Sequence, residues 1–202
     1  MRAAVLALIL CALASVGAAQ TEQYPRFVSV TGVASDDVLN VRLHPDASAP
    51  IVATLTPDQF DVEAVGETPD GTWVLLNIRD ISGWASARYL RKQPVGPDYH
   101  YTRQLTCVGT EPFWSLRVTQ GLSAEFSGLD LPTLRFPAGN LQQALARYDR
   151  FLLGLGDRAT AILTQELCTD GMSDRAFGLD ISLILQTETT MLMSGCCSIV
   201  AD

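Results

Sequence analysis

Histidine is almost missing from this 202-residue chain: only His44 and His100 occur. Neither stands with a cysteine or serine in the spacing of a nucleophile–base pair, and there is no Gly-X-Ser-X-Gly elbow. No Cys-X-X-Cys pair is present, so a four-cysteine zinc site and a dithiol redox centre both lack their usual spacing. The EF-hand pattern is not met either. Positive charge is scarce: 14 Lys and Arg face 22 Asp and Glu, a formal net charge of −8. An acidic chain repels phosphate backbones, which argues against a nucleic-acid partner. Arg88, Arg91 and Lys92 form the one small basic spot, read as a solvated strand end. After the first residues, no apolar run approaches the ~20 residues that cross a bilayer.

The start of the chain is different. Met1-Arg2 leads into an apolar run over 3–16 and then Gly17-Ala18-Ala19-Gln20. A positive residue, a short Ala-rich apolar stretch and small residues at its end make a cleavable export signal over 1–19, with cleavage after Ala18 or Ala19. An uncleaved anchor is the alternative. Cys11 follows Leu10 rather than the small residue that lipidation requires, so it is expected to leave with the signal. Loss of Arg2 takes the charge from −8 to −9, and five cysteines become four. An even count in an exported chain points to disulfides and to a periplasmic or secreted location.

Over 26–92, short apolar runs alternate with turn residues at the spacing of a small barrel or sandwich. The runs are 27–33, 38–42, 51–55, 60–65, 72–78 and 81–85. Leu39-Asn40-Val41-Arg42 followed by Pro45, then the run 51–55, Asp70-Gly71-Thr72-Trp73-Val74, and Gly83-Trp84-Ala85-Ser86 leading to Tyr89-Leu90 carry a resemblance to the bacterial SH3-like (SH3b) family. It covers 24–92, about a third of the chain. The resemblance implies a small, strongly bent β-barrel that targets cell-wall peptides or other envelope ligands without catalysis. Val41, Val62 and Val74 are expected inside, and Asp70-Gly71 in a hairpin turn. Trp73 and Tyr89 are candidate ligand contacts, Trp73 through ring stacking. Asn40 and Arg42 are candidates for binding a peptide carboxylate, against a purely structural role in a turn and at the barrel edge.

Pro94, Gly96 and Pro97 mark a linker over 93–100. Beyond it, 116–118, 123–126, 159–164, 180–185 and 190–193 read as strands. Asn140 and Gln143, with Leu141, Leu145 and Tyr148 at helical spacing, predict a short capped helix followed by a strand. Gly154 and Gly156 lack the strand–helix context of a phosphate loop. Cys107-Val-Gly-Thr-Glu-Pro-Phe-Trp114, Cys168-Thr-Asp-Gly-Met-Ser-Asp174 and Gly195-Cys-Cys197 resemble, in that order, an uncharacterised family of bacterial envelope domains. These are distantly similar to the barrel of the membrane-bound inhibitor of c-type lysozyme. The resemblance implies a disulfide-stapled antiparallel β-barrel over 101–202, a likeness of architecture rather than activity.

Adjacent residues of a strand face opposite ways. Cys196 and Cys197 are thus poorly placed to bond each other, and each is expected to pair with Cys107 or Cys168. Which takes which stays open at this point; the preferred arrangement is Cys107–Cys197 with Cys168–Cys196. Asp170 and Asp174 read as holding a tight loop, and Pro112-Phe113-Trp114 as a core anchor. Glu111, Trp114, Asp170 and Asp174 are the candidate ligand contacts of this half. The whole reads as an all-β protein with an SH3-like barrel ahead of a stapled barrel and no metal or cofactor. It is expected to be a non-enzymatic envelope protein engaging peptidoglycan or an envelope protein. The alternative is an inhibitor of lysozyme or another muralytic enzyme acting through the C-terminal loops. A third reading is an enzyme built on Glu111, Asp170 and Asp174. The oligomeric state is not legible.

Overall fold

A computed structural model describes residues 24–94 and 99–201. The expected export signal, with Cys11, and the middle of the expected linker lie outside them. Among the described residues, apart from one 3-10 turn, Ala87–Tyr89, every regular element is a strand. The first seven are β1 (Arg26–Val30), β2 (Leu39–Arg42), β3 (Ile51–Leu55), β4 (Val62–Glu67), β5 (Trp73–Ile78), β6 (Ile81–Ser86) and β7 (Leu90–Lys92). They form one antiparallel sheet in the order β3-β2-β6-β5-β4-β1-β7. Val41, Val62 and Val74 are buried in its core beside Val28, Leu39, Leu55 and Leu76. Asp70 accepts from the Thr68 hydroxyl and from the Thr72 amide and hydroxyl, and Gly71 takes φ +67°, which closes the β4–β5 hairpin.

The other nine strands are β8 (Gln104–Thr110), β9 (Phe113–Thr119), β10 (Ser123–Gly128), β11 (Leu131–Pro137), β12 (Gln142–Gln143), β13 (Arg150–Leu155), β14 (Ala159–Thr169), β15 (Ala176–Gln186) and β16 (Thr190–Val200). Their order is β11-β10-β9-β8-β16-β15-β14-β13-β12, again antiparallel throughout. Alternation is clean on β13, where Phe151, Leu153 and Leu155 point inward. Phe126 of β10 and Phe151 of β13 belong to one core although five strands lie between them. The sheet therefore curls into a half-barrel. One end is tied across by the 138–141 segment: Gly139 N donates to Gly154 O, and Leu141 N donates to Gln120 Oε1. Gln120 is itself buried and donates to Thr102 O and His100 O.

That tie corrects the expected helix. Leu141 is buried, but Leu145 is 97% and Tyr148 82% exposed, so the three never share a face. Gln142 and Gln143 pair with Leu152 and Phe151 instead, and Ala146 takes φ +61°. A helix this short pays a nucleation cost for few bonds. Pairing the same residues onto β13 satisfies their backbone and caps the half-barrel.

The cysteines form two pairs, Cys107–Cys197 and Cys168–Cys196. Cys107 and Cys197 lie opposite each other across β8 and β16, with Cα atoms 3.9 Å apart. Cys196 faces the other way. A register shift between Gln165 and Cys168 on β14 precedes its partner, with Cα atoms 5.7 Å apart.

The two sheets pack on each other. Alternation lapses where they meet: Val62 to Val65, Val74 to Asn77 and Cys196 to Ile199 are buried on both faces. Ser82 N donates to Asp174 O, and Ala176 N donates to Ser82 Oγ. Glu63 is buried at the centre of the junction. Its Oε1 accepts from Ile199 N at 2.9 Å, and its Oε2 from Asn77 Nδ2 at 2.6 Å and Arg175 Nη2 at 3.2 Å. Arg175 also donates to Ser198 Oγ. Phe27 packs on the core of the second sheet, and Pro25 lies against Gly178.

Candidate functional site

The first sheet carries a groove of about 300 Å³ between the chain that follows β1, strand β2, and the β5 and β6 ends. Its walls include Gly32, Val33, Asp37, Asn40, Arg42, Trp73, Ser86 and Tyr89. Asn40, Arg42, Trp73 and Tyr89, chosen from the sequence on three separate segments, thus converge on one concavity. Each is partly exposed. Trp73 begins β5 soon after the Asp70-Gly71 turn, where its amide donates to Thr68 Oγ1. Tyr89 sits in the 3-10 turn, with its carbonyl accepting from Thr31 N and the Arg88 guanidinium 4.6 Å from its ring centroid.

The polar pair divides its duties. Arg42 Nη1 donates to Ala49 O at 2.7 Å, closing the 43–50 turn. Asp46 within that turn accepts from Ser48 N and Oγ, and these bonds hold its carboxyl below the usual carboxylate range. Arg42 therefore has a structural contact and is also a lining residue of the groove. The Asn40 side chain makes no hydrogen bond among the described residues, so its amide is open to a ligand. Gly32, Val33, Asp37 and Ser86 were not among the expected ligand contacts, although Asp37 lies in an expected turn and Gly32, near the end of the first apolar run, takes φ +70°. Of the basic spot, Lys92 pairs with Glu67 at 3.3 Å and Arg91 is exposed. A larger hollow of about 750 Å³ between β3 and the β5–β6 turn holds none of the expected site residues.

Of the candidates of the second sheet, Trp114 and Asp170 line one shallow cleft beside β8 and β9, and Glu111 and Asp174 are not among its lining residues. Trp114 is buried in the core, stacked 6.1 Å from Phe126. A Cβ added to Gly109 or Gly195 would collide with its indole, so the two motif glycines make the bed in which the tryptophan lies. Asp170 Oδ1 accepts from Met172 N, Ser173 N and Ser173 Oγ, which organises the loop. Burial pushes its carboxyl up, but the Ser173 and Met172 donors outweigh this and leave it below the ordinary range. Asp170 O accepts from Thr110 Oγ1, docking the loop on β8. Asp174 bridges instead to Ile81 and Ser82 at the junction, and Glu111 is exposed at the β8–β9 turn. No cluster of three His, Cys, Asp or Glu able to hold a metal occurs among the described residues, and no helix there is long and apolar enough to cross a membrane. No family model matches the chain, and neither a curated protein nor a solved structure does.

Proposed function

We propose that this chain is an exported, non-enzymatic envelope protein whose SH3-like N-terminal sheet binds peptidoglycan or an envelope protein through the Asn40–Arg42–Trp73–Tyr89 groove. The observation that carries this reading is the convergence of those four side chains on one groove. Two partly exposed rings offer stacking surfaces of low conformational cost. An unengaged amide and a guanidinium beside them suit the backbone and carboxylate groups of a peptide. The two disulfides fit the oxidising compartment an export signal implies.

The test is a pull-down of the mature chain on purified sacculi, with mass spectrometry of any co-purified protein. Wild type is expected to be retained by sacculi or to capture an envelope protein. Trp73→Ala/Tyr89→Ala is expected to lose at least nine-tenths of that signal. Retention of the double variant at the wild-type level would sink the reading.

A further inference from the structure

A third concavity lies on the half-barrel, where the loop after β14 is fastened to β8 beside β9. It is a shallow cleft of about 590 Å³. Phe113, Leu129 and Met172, from three different segments, line it while remaining 50%, 62% and 69% exposed. Scattered exposed apolar residues are ordinary, but three converging around one hollow mark an interaction surface. The Ser115 and Ser127 hydroxyls, 2.9 Å apart, add polar groups to the wall.

The cleft is held in shape. Asp170 organises the loop through its bonds to Met172 and Ser173, and Thr110 fastens it to β8. Cys168–Cys196 anchors the loop's base to β16. A preformed surface loses little entropy on binding.

Charge selects the occupant. The segments that build the cleft, 107–116, 126–130 and 169–173, contain Glu111, Asp130 and Asp170 and no Lys, Arg or His. Asp170 lines the cleft, and Glu111 and Asp130 adjoin its lining residues in sequence; negative charge beside an apolar hollow favours a basic partner and repels an acidic one. Another copy of this chain, with a net charge of −8, is a poor match.

We propose that this cleft docks a short basic segment of a partner protein, with an apolar side chain seated among Phe113, Leu129 and Met172 and flanking Lys or Arg facing Glu111, Asp130 and Asp170. The cleft shares no residue with the N-terminal groove and does not depend on what that groove binds.

Fluorescence anisotropy of the mature chain with three labelled tetrapeptides tests this: Lys-Phe-Leu-Lys, Glu-Phe-Leu-Glu and Lys-Ser-Ser-Lys. The first is expected to bind at least tenfold more tightly than either of the others, and to weaken as salt is raised. Leu129→Ser and Met172→Ser replace exposed side chains, so their thermal melts should match wild type; each is expected to weaken Lys-Phe-Leu-Lys at least fivefold. The proposal is overturned if no peptide binds up to millimolar concentration, or if Lys-Ser-Ser-Lys binds equally well. It is also overturned if neither substitution changes affinity, or if sedimentation shows a dimer that these substitutions dissolve.

Discussion

The Trp114 indole occupies the space that side chains at Gly109 and Gly195 would need. Gly109→Ala is therefore expected to destabilise the protein by about 3 kcal/mol through overpacking. Gly154→Ala, whose added Cβ meets nothing within 4 Å, should be close to neutral in the same urea melts. Equal costs would refute the cradle. Glu63 is the other residue on which much depends. Glu63→Ala removes the carboxylate acceptor of Asn77 and the Ile199 amide and the charge partner of Arg175, which keeps its bond to Ser198, and should cost about 3 kcal/mol. Burial raises the Glu63 carboxyl above the usual range, against the opposing pull of Asn77, Ile199 and Arg175. A native pKa above the unfolded one means the folded state holds the proton more tightly. That contribution is full below the unfolded pKa and is lost as pH rises through the native one. Glu63→Gln cannot titrate, so the stability advantage of wild type over it should be largest below the ordinary glutamate range, about pH 4, and shrink as pH rises through the raised native pKa. An advantage that grows with pH contradicts the assignment.

Among the elements, the 137–149 segment separates local from non-local forces. Leu141, Leu145 and Tyr148 have helical spacing, yet only Leu141 is buried. Leu141→Ala should cost about 3 kcal/mol, while Leu145→Ser and Tyr148→Ser should each stay within about 0.5 kcal/mol in thermal or urea melts. A helix would make all three costly. Arg147 bonds the Asp149 carboxyl and holds it down to about 2, which fixes the turn that replaces the helix. Strands with regular alternation or clear turn signals, such as β2, β5 and β15, were legible because their cues are local. β8 and β11 were not read: β8 depends on pairing with β16, some ninety residues further on, and β11 carries prolines at both ends of its run.

At the scale of the molecule, the sequence suggested two modules joined by a linker, and the described residues show two sheets fused around Glu63. That junction was illegible because its partners are far apart: Glu63 meets Arg175 and Ile199, 112 and 136 residues away. The alternation argument anticipated that Cys196 and Cys197 would not bond each other, because it needs only the local geometry of one strand; which partner each takes depends on the register that sets Cys107 opposite Cys197. Cys107–Cys197 spans 90 residues and Cys168–Cys196 spans 28. Loop-closure entropy then makes the Cys107→Ala/Cys197→Ala variant less stable than Cys168→Ala/Cys196→Ala by about 1 kcal/mol in urea unfolding. The reverse order would show that strain or loop anchoring outweighs chain entropy. The groove was the most legible candidate site, since the four residues expected there sit in short local strings. It is tested most directly by following the three indole N–H signals of the mature chain, by nuclear magnetic resonance, as muropeptides released from sacculi or a captured envelope protein is added. The account predicts a saturable shift of Trp73, with Trp84 and Trp114 little moved. A binding partner that leaves Trp73 unshifted would contradict it.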